Sequence, residues 1–550
     1  MLLRTLLTSI LLAAGAFAQL SSFPKPSYFR ETFSKTRTKV ELKDPVRLQD
    51  FVVAGKLELS LKNFLALVMS NNTDIQIQML TLETPKNAIL RAFGAWDPLA
   101  RATFTDTKST LPSTSALDGA ATLVSLTQPA QFSVNQTLPT GTNYTVGFGA
   151  TKSTTNSGFS SFNPALSTTV SISFTQPLIK NRSMFINRLP LMAAKSRYRM
   201  SEYSLTNQLL TMVNAAENAY WDVIAARENL KVAENGRDVA AEFLKLSEKQ
   251  LELGALSPLD IYNPQQQLAT AELSVSQAKF ALTQKEDALR KQISLDLDQN
   301  LRAVPIVLSE TVDVAAPPLD TELEVSKALA TRPDLKAATQ SLDIDDLGIQ
   351  SAKNGLLPNL SLTGSYQSQG RGGVFYQRSN QFGSTGTGTN TSTIVTTIPG
   401  GLSDALSQMF GFGYPVYSFG LNLNLPIKSR SAAADMADAL AAKKRDALTE
   451  RTTIQGIRLD ILNAVSNVQG SVEQLKLAKL ALDFAVKNLE AENKKYELGT
   501  EINQNVILAQ NVKVQAESSV VVNQIGLRRN LLNLLTKTGE LLDDRGIVVQ

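Results

Sequence analysis

The sequence predicts an α+β membrane protein in which a transmembrane β-barrel shared between chains continues into a long coiled-coil barrel of α-helices. It also predicts that this unit is written twice, as an internal duplication. Three observations carry the prediction. Pro, Gly and Asp landmarks recur at near-constant spacing in the two halves, two heptad stretches are too long for a globular domain, and period-two strands are separated by long polar loops.

Composition narrows the chemistry first. The 550 residues include 54 Lys+Arg against 50 Asp+Glu, a net charge of +4, with no His, no Cys and 6% aromatic residues. Without imidazole or thiolate, Ser-His-Asp triads, Cys nucleophiles, zinc centres, haem ligation and redox disulfides are excluded. No catalytic residue and no cofactor are expected. The near balance of charge lacks the clustered Lys/Arg of a phosphate-binding surface, so no nucleic-acid partner is expected.

Residues 1–18 read as a signal peptide, with Arg4 in the n-region, an apolar core from Leu6 to Ala14 and Ala16-Phe17-Ala18 before the cut. Residues 19–56 read as an extended lead-in with Pro24, Pro26 and Pro45. No later stretch approaches the roughly 18 to 20 apolar residues of a transmembrane helix, so membrane insertion is left to β-strands.

The duplication follows from paired landmarks. Asn72-Thr73-Asp74 matches Arg332-Pro333-Asp334, and Pro98 matches Pro358, both at an offset of 260. Gln176-Pro177-Leu178 pairs with Leu425-Pro426-Ile427, and Leu251-Glu252-Leu253-Gly254 with Tyr496-Glu497-Leu498-Gly499, as the offset drifts to 249 and then 245. The expected units are a first repeat over 57–300, a linker over 301–320, a second repeat over 321–540 and a tail over 541–550. Each repeat opens with a helix that runs into Pro98 or Pro358 and then a strand.

Between Pro190 and Ser257, and throughout the chain after Pro426, no proline interrupts the pattern. The 70 residues from Ser429 to Leu498 would span roughly 105 Å as one helix. Heptad positions run through Met212, Ala216, Ala219, Val223, Ala226, Leu230, Ala233, Arg237, Ala240, Leu244, Ser247 and Leu251 in the first copy, and through Ile457, Ile461, Ala464, Val468, Ser471, Leu475, Ala478, Leu482, Ala485, Leu489, Glu492 and Tyr496 in the second. Large residues meet small ones along the seam, as close helix packing requires. After Gly254 and Gly499 the chain returns. Leu268, Val275, Leu282 and Leu289, seven apart, mark the first returning helix.

Between the proline landmarks the period is two. Val170, Ile172 and Phe174 alternate with Ser171, Ser173 and Thr175; Leu421, Leu423 and Leu425 alternate with Gly420, Asn422 and Asn424. Their partners are Ala100 to Asp106 and Leu360 to Gln367. About two strands per half cannot close a barrel, and open edges in lipid cost several kcal/mol per unpaired group, so several chains must share one. Residues 132–150 form a further hairpin around Pro139-Thr140-Gly141. It is either an added pair of barrel strands or a loop hairpin outside the membrane, and the lack of a counterpart in the second half favours the second reading.

These landmarks, in this order and twice over, resemble the TolC-like outer-membrane efflux protein family across nearly the whole mature chain. The resemblance implies a homotrimer with four strands per subunit in a twelve-strand barrel and a helical tunnel crossing the periplasm. It further implies a passive exit duct for efflux or type I secretion, served by a periplasmic adaptor protein and an inner-membrane transporter, with outer-membrane lipid around the barrel. The alternative is a non-channel periplasmic coiled-coil or adaptor protein.

The resemblance also places a gate at the helical turns. The tip candidates are Gly254, Asp260, Tyr496, Gly499, Glu501 and Asn505. Asp260 and Tyr496 stand where relatives link their coiled coils, Glu501 where some carry Arg, and Asn505 and Leu508 where some place ringed Asp. The residues themselves also allow a structural role: Ser257-Pro258-Leu259-Asp260 has an N-cap, a first-turn Pro and an acid at the third position, and Tyr496 continues the seam. Three patterns are decoys. Asp343 to Gly348 mimics the start of a calcium loop but has Leu347 at its fifth position; Gly383 to Gly388 lacks the Lys-Ser/Thr of a P-loop; Asp543-Asp544 lacks an apolar pocket.

Overall fold

The computed structural model describes residues 51–53, 55–114, 120–158, 160–254, 256–295, 304–311, 317–379, 393–498 and 500–547. The signal peptide, most of the lead-in, the Gly383 to Gly388 stretch and Gly499 lie outside the described residues.

The chain runs β1 (Val52–Val53), β2 (Lys56–Leu59), α1 (Leu61–Asn71), α2 (Thr73–Leu80) and α3 (Glu83–Phe93), then β3 (Leu99–Phe104), β4 (Thr107–Pro112), β5 (Thr122–Thr137), β6 (Asn143–Thr155) and β7 (Phe162–Pro177). A 69-residue helix α4 (Met184–Glu252) and its return α5 (Tyr262–Gln292) complete the first half. After β8 (Ile306–Leu308) come α6 (Thr321–Thr331), α7 (Pro333–Gly355), β9 (Asn359–Ser379), β10 (Thr393–Ile398), α8 (Leu402–Phe410) and β11 (Pro415–Asn424). The 68-residue α9 (Arg430–Glu497), its return α10 (Asn503–Thr538) and the short α11 (Leu541–Asp544) end the chain.

The helix expected at the start of each half is broken, and the breaks fall on the paired landmarks. Asn72 ends α1 and caps α2, its side chain accepting from the Asp74 and Ile75 N–H groups; Arg332 stands between α6 and α7. Each break grips the end of its own half's return helix. Asn72 Nδ2 donates to the Gln292 carbonyl at 2.9 Å and Ser294 Oγ to the Asn71 carbonyl at 2.9 Å. In the second half Thr331 Oγ1 donates to the Thr538 carbonyl, while Arg332 and Lys537 both hold Asp460, at 3.1 and 3.0 Å. Partial burial pushes the Asp460 carboxyl up, but the bonds from Lys537 and Arg332 outweigh it and hold it below the usual range.

The second heptad seam packs along most of its length: Ile457, Ile461, Ala464, Val468, Ser471, Ala478, Ala485, Leu489 and Tyr496 are buried, while Leu475, Leu482 and Glu492 are half-buried. The first does so only in part. Ala216, Val223, Ala240 and Ser247 are buried, but so are Tyr220, Trp221 and Ile224. Around them lie Phe64 of α1, Leu289 of α5, Ile525 of α10 and Leu541, so α4 is covered on more sides than one seam. Helix α4 also begins six residues before Pro190, which forfeits only the bond to the Ile186 carbonyl in the second turn. Burial of Leu189, Leu191 and Ala194 around it offsets that loss.

The large sheet corrects the expected place of the extra hairpin. Six strand positions lie side by side: β3 and β4 share one edge, then β5, β6, β7 and β9, with β10 and β11 sharing the other. The hairpin is therefore in the sheet, between β3 and β7, and the first half contributes four positions rather than two. Register explains why: Phe132 faces Phe148, Val134 faces Val146, and Val146 faces Ile172, so the hairpin keeps its apolar residues on the face that β7 already presents. Its turn lies on the helical side. Gly141 has φ +82°, and a Cβ there would come within 2.6 Å of the Asn181 carbonyl and 2.9 Å of Pro177, where β7 runs into α4.

Helix α8 packs against the upper part of the same apolar face. Thr168 Oγ1 donates to the Ala405 carbonyl at 2.9 Å and Ser368 Oγ to the Met409 carbonyl at 2.7 Å. A side chain at Gly370 would overlap the Ala405 carbonyl, so only glycine admits the helix there.

Candidate functional site

Two places stand out as candidate sites: the two faces of the sheet, and the turns at the far end of the helical hairpins. On one face of the sheet stand Phe132, Val146, Ile172, Tyr417, Phe419 and Leu421, each well exposed. The opposite face carries Ser133, Thr145, Ser171, Ser173, Ser365 and Ser418. Strand side chains alternate, so along β7 and β11 one side is polar and the other apolar. No described strand of this sheet carries Asp or Glu; their charged residues are Arg101, Lys108, Lys152, Arg371 and Arg378. Arg101 pairs with Ser133 and Arg371 with Ser167, both on the polar face.

At the tip, Gly254 takes the left-handed conformation at φ +71° and ends α4. Helix α5 starts only at Tyr262, so the expected cap is displaced. Ser257 and Asp260 instead close a separate turn, with the Asp260 N–H donating to the Ser257 carbonyl at 2.9 Å. The Asp260 carbonyl accepts from Asn503 Nδ2 at 3.0 Å, which ties one hairpin turn to the other. Asn503 is a tip residue the sequence reading missed; an Asn in the first turn of a helix facing a turn is a weak signal.

Glu501 and Asn505 are brought together. The Glu501 carboxylate accepts from the Ile502 N–H at 3.1 Å and from Asn505 Nδ2 at 2.6 Å, and these bonds hold it below the usual carboxylate range. Tyr496 is 6% exposed and lies against Phe243, their ring centroids 5.4 Å apart, among Leu489, Val506 and Ile507. Its hydroxyl is buried with no hydrogen-bond partner among the described residues. Within one chain no hydrogen bond joins it to Asp260, and Leu508 is exposed. Phe243 sits beside the heptad positions rather than on them, which is why the seam alone did not reveal it.

The acidic run Asp343 to Gly348 lies inside α7. There Gln340 Nε2 donates to Asp343, Lys443 pairs with Asp346, and burial together with nearby Asp446 pushes Asp345 up. Asp544 pairs with Arg545 at 2.7 Å.

Residues 142–293 and 325–540 match the family described as outer membrane efflux protein. The pyoverdine export outer membrane protein OpmQ of Pseudomonas aeruginosa is 22% identical over 330 residues, 60% of this chain and 61% of that protein. Outer membrane protein TolC of Vibrio cholerae is 23% identical over 335 residues, 60% of this chain and 67% of its own length. The chain thus spans under two thirds of the pyoverdine exporter's length. In fold, the CmeC outer membrane channel of Campylobacter jejuni superposes with a TM-score of 0.61 at 15% identity, covering 92% of this chain and 91% of that one. With more than half of its residues inside the matched segments, the chain belongs to the outer membrane efflux protein family.

Proposed function

We propose that three copies of this chain close their sheets into one outer-membrane barrel, continued by the helical hairpins into a periplasmic tunnel. The assembly is a passive exit duct for efflux or type I secretion, driven by an inner-membrane transporter through an adaptor that docks at the tip. An internal duplication accounts for the common order of the two halves. One observation carries the reading: a sheet with an apolar face, a polar face and two edges without a partner strand among the described residues. Lipid covers the first face and water the second, and only further copies pair the edges. A structural coiled-coil or adaptor protein has no use for that apolar face.

The test is mass in mild detergent. A heat-modifiable trimer from outer-membrane fractions is the expected result; a folded monomer ends the duct reading.

The tip is proposed as the gate, with the Tyr496 hydroxyl, which has no partner among the described residues, donating to Asp260 of a neighbouring hairpin. Removing such a bond costs about 0.5 to 3 kcal/mol, the upper end for a charged acceptor, and each 1.4 kcal/mol is roughly tenfold in open population. Tyr496→Phe, Asp260→Asn and the double variant should therefore raise single-channel conductance alike and without additivity. Wild-type conductance in all three would retire the latch.

A further inference from the structure

We propose that the assembled barrel holds 18 strands, six from each of three chains, and opens to the cell surface as a wide lumen whose wall favours bulky hydrophilic anions. The proposal rests on the trimeric duct reading and deepens it.

The first support is continuity. Strands β5 and β6 are 16 and 13 residues long, ample for the roughly 9 to 11 that cross a bilayer when tilted. They pair along most of their length with β7 on one side and with β3 and β4 on the other. Their turn abuts the start of α4, so the hairpin descends the full height of the sheet. Because a hairpin adds two antiparallel strands, it enters between β3 and β7 without disturbing the alternation of direction.

Width follows from strand count. At about 4.8 Å per strand and a tilt of about 40°, 18 strands enclose a backbone diameter of about 36 Å, against about 24 Å for twelve. Barrels of 16 to 18 strands leave an aqueous channel. Charge follows from the polar face. Arg101 and Arg371 stand on it, no described strand of this sheet supplies a carboxylate, and threefold repetition makes rings of positive charge.

The chain has no Cys, so introduced thiols are the only ones present. Full-length protein in outer membranes would carry Val146→Cys with Ile172→Cys, residues directly opposite across β6 and β7. A second protein would carry Ala100→Cys with Ile172→Cys. These share one row of the sheet but are three strand spacings apart, about 14 Å, beyond disulfide reach. Oxidation should link the first pair and not the second, on bands that keep the trimer mass. Linkage of the second pair, or of neither in an intact trimer, overturns the 18-strand barrel.

A third variant, Ser173→Cys, reads the lumen. Anionic thiol reagents should outpace cationic ones of equal size, by about sevenfold for a local potential of one kT per unit charge. Equal or reversed rates overturn the anionic lumen. Absence of any trimer in the wild type overturns the duct reading instead, and this proposal with it.

Discussion

Ile172→Arg is expected to eliminate the trimer from the outer membrane, while Ser173→Arg, one residue along the same strand, is expected to leave it intact. Ile172 lies on the apolar face of β7, between Val146 on β6 and Tyr366 on β9, and is 43% exposed in the single chain. In the proposed assembly that exposure is to acyl chains. An Arg there costs about 2 to 4 kcal/mol near the bilayer midplane, and three copies make about 6 to 12 kcal/mol per trimer, comparable to the whole stability of a typical domain. Ser173 points to the polar face, where an added Arg joins Arg101 and Arg371 in water. The measurement is the heat-modifiable trimer in washed outer membranes, compared for the two variants. Equal amounts from both would mean that this face does not meet lipid, and the membrane assignment of the sheet would fall.

Arg545→Ala is expected to produce the largest loss of stability away from the membrane. Glu217, in the middle of α4, is 1% exposed and would be costly to bury alone. Arg545, just after α11, holds it with two bonds, Nε to Oε2 at 3.0 Å and Nη2 to Oε1 at 2.9 Å, and the Trp221 indole N–H adds a third at 3.3 Å. Leu541 and Leu542 beside this pair belong to the same core as Tyr220 and Phe64. Removing one partner of a buried pair costs about 3 to 5 kcal/mol, and Arg545, a quarter exposed, places this pair near about 3 kcal/mol. Denaturant unfolding should show that loss for Arg545→Ala and a smaller one for Glu217→Gln, which keeps shape without charge. In the double variant no carboxylate is stranded, so the two losses should not add. Strict additivity, or a loss near zero for Arg545→Ala, would mean the pair does not anchor the C-terminal segment.

Both predictions turn on features of different legibility. The polarity of β7 is written locally: Val170, Ile172 and Phe174 against Ser171, Ser173 and Thr175 state a two-sided strand wherever it pairs. Nothing in the sequence around Glu217 names Arg545 as its partner, because 328 residues separate them. The same division runs through the tip. Gly254 was readable as a turn, since left-handed backbone selects glycine, whereas the Asp260–Asn503 bond joins two hairpins 243 residues apart.

The sequence by itself determined the lengths and periods of the elements, the long helices with their seven-residue repeats, the two-faced strands, and the paired landmarks at 72 and 332. Each of these arises from interactions within a few residues along the chain. Only the tertiary structure decided which neighbours the elements take. It placed the hairpin of β5 and β6 between β3 and β7, because a period of two fixes which side chains share a face but not which strand lies beside them. It widened the buried face of the first long helix beyond the seam to Tyr220, Trp221 and Ile224, because α4 is covered by partners from both halves of the chain and a heptad describes only one line of contact.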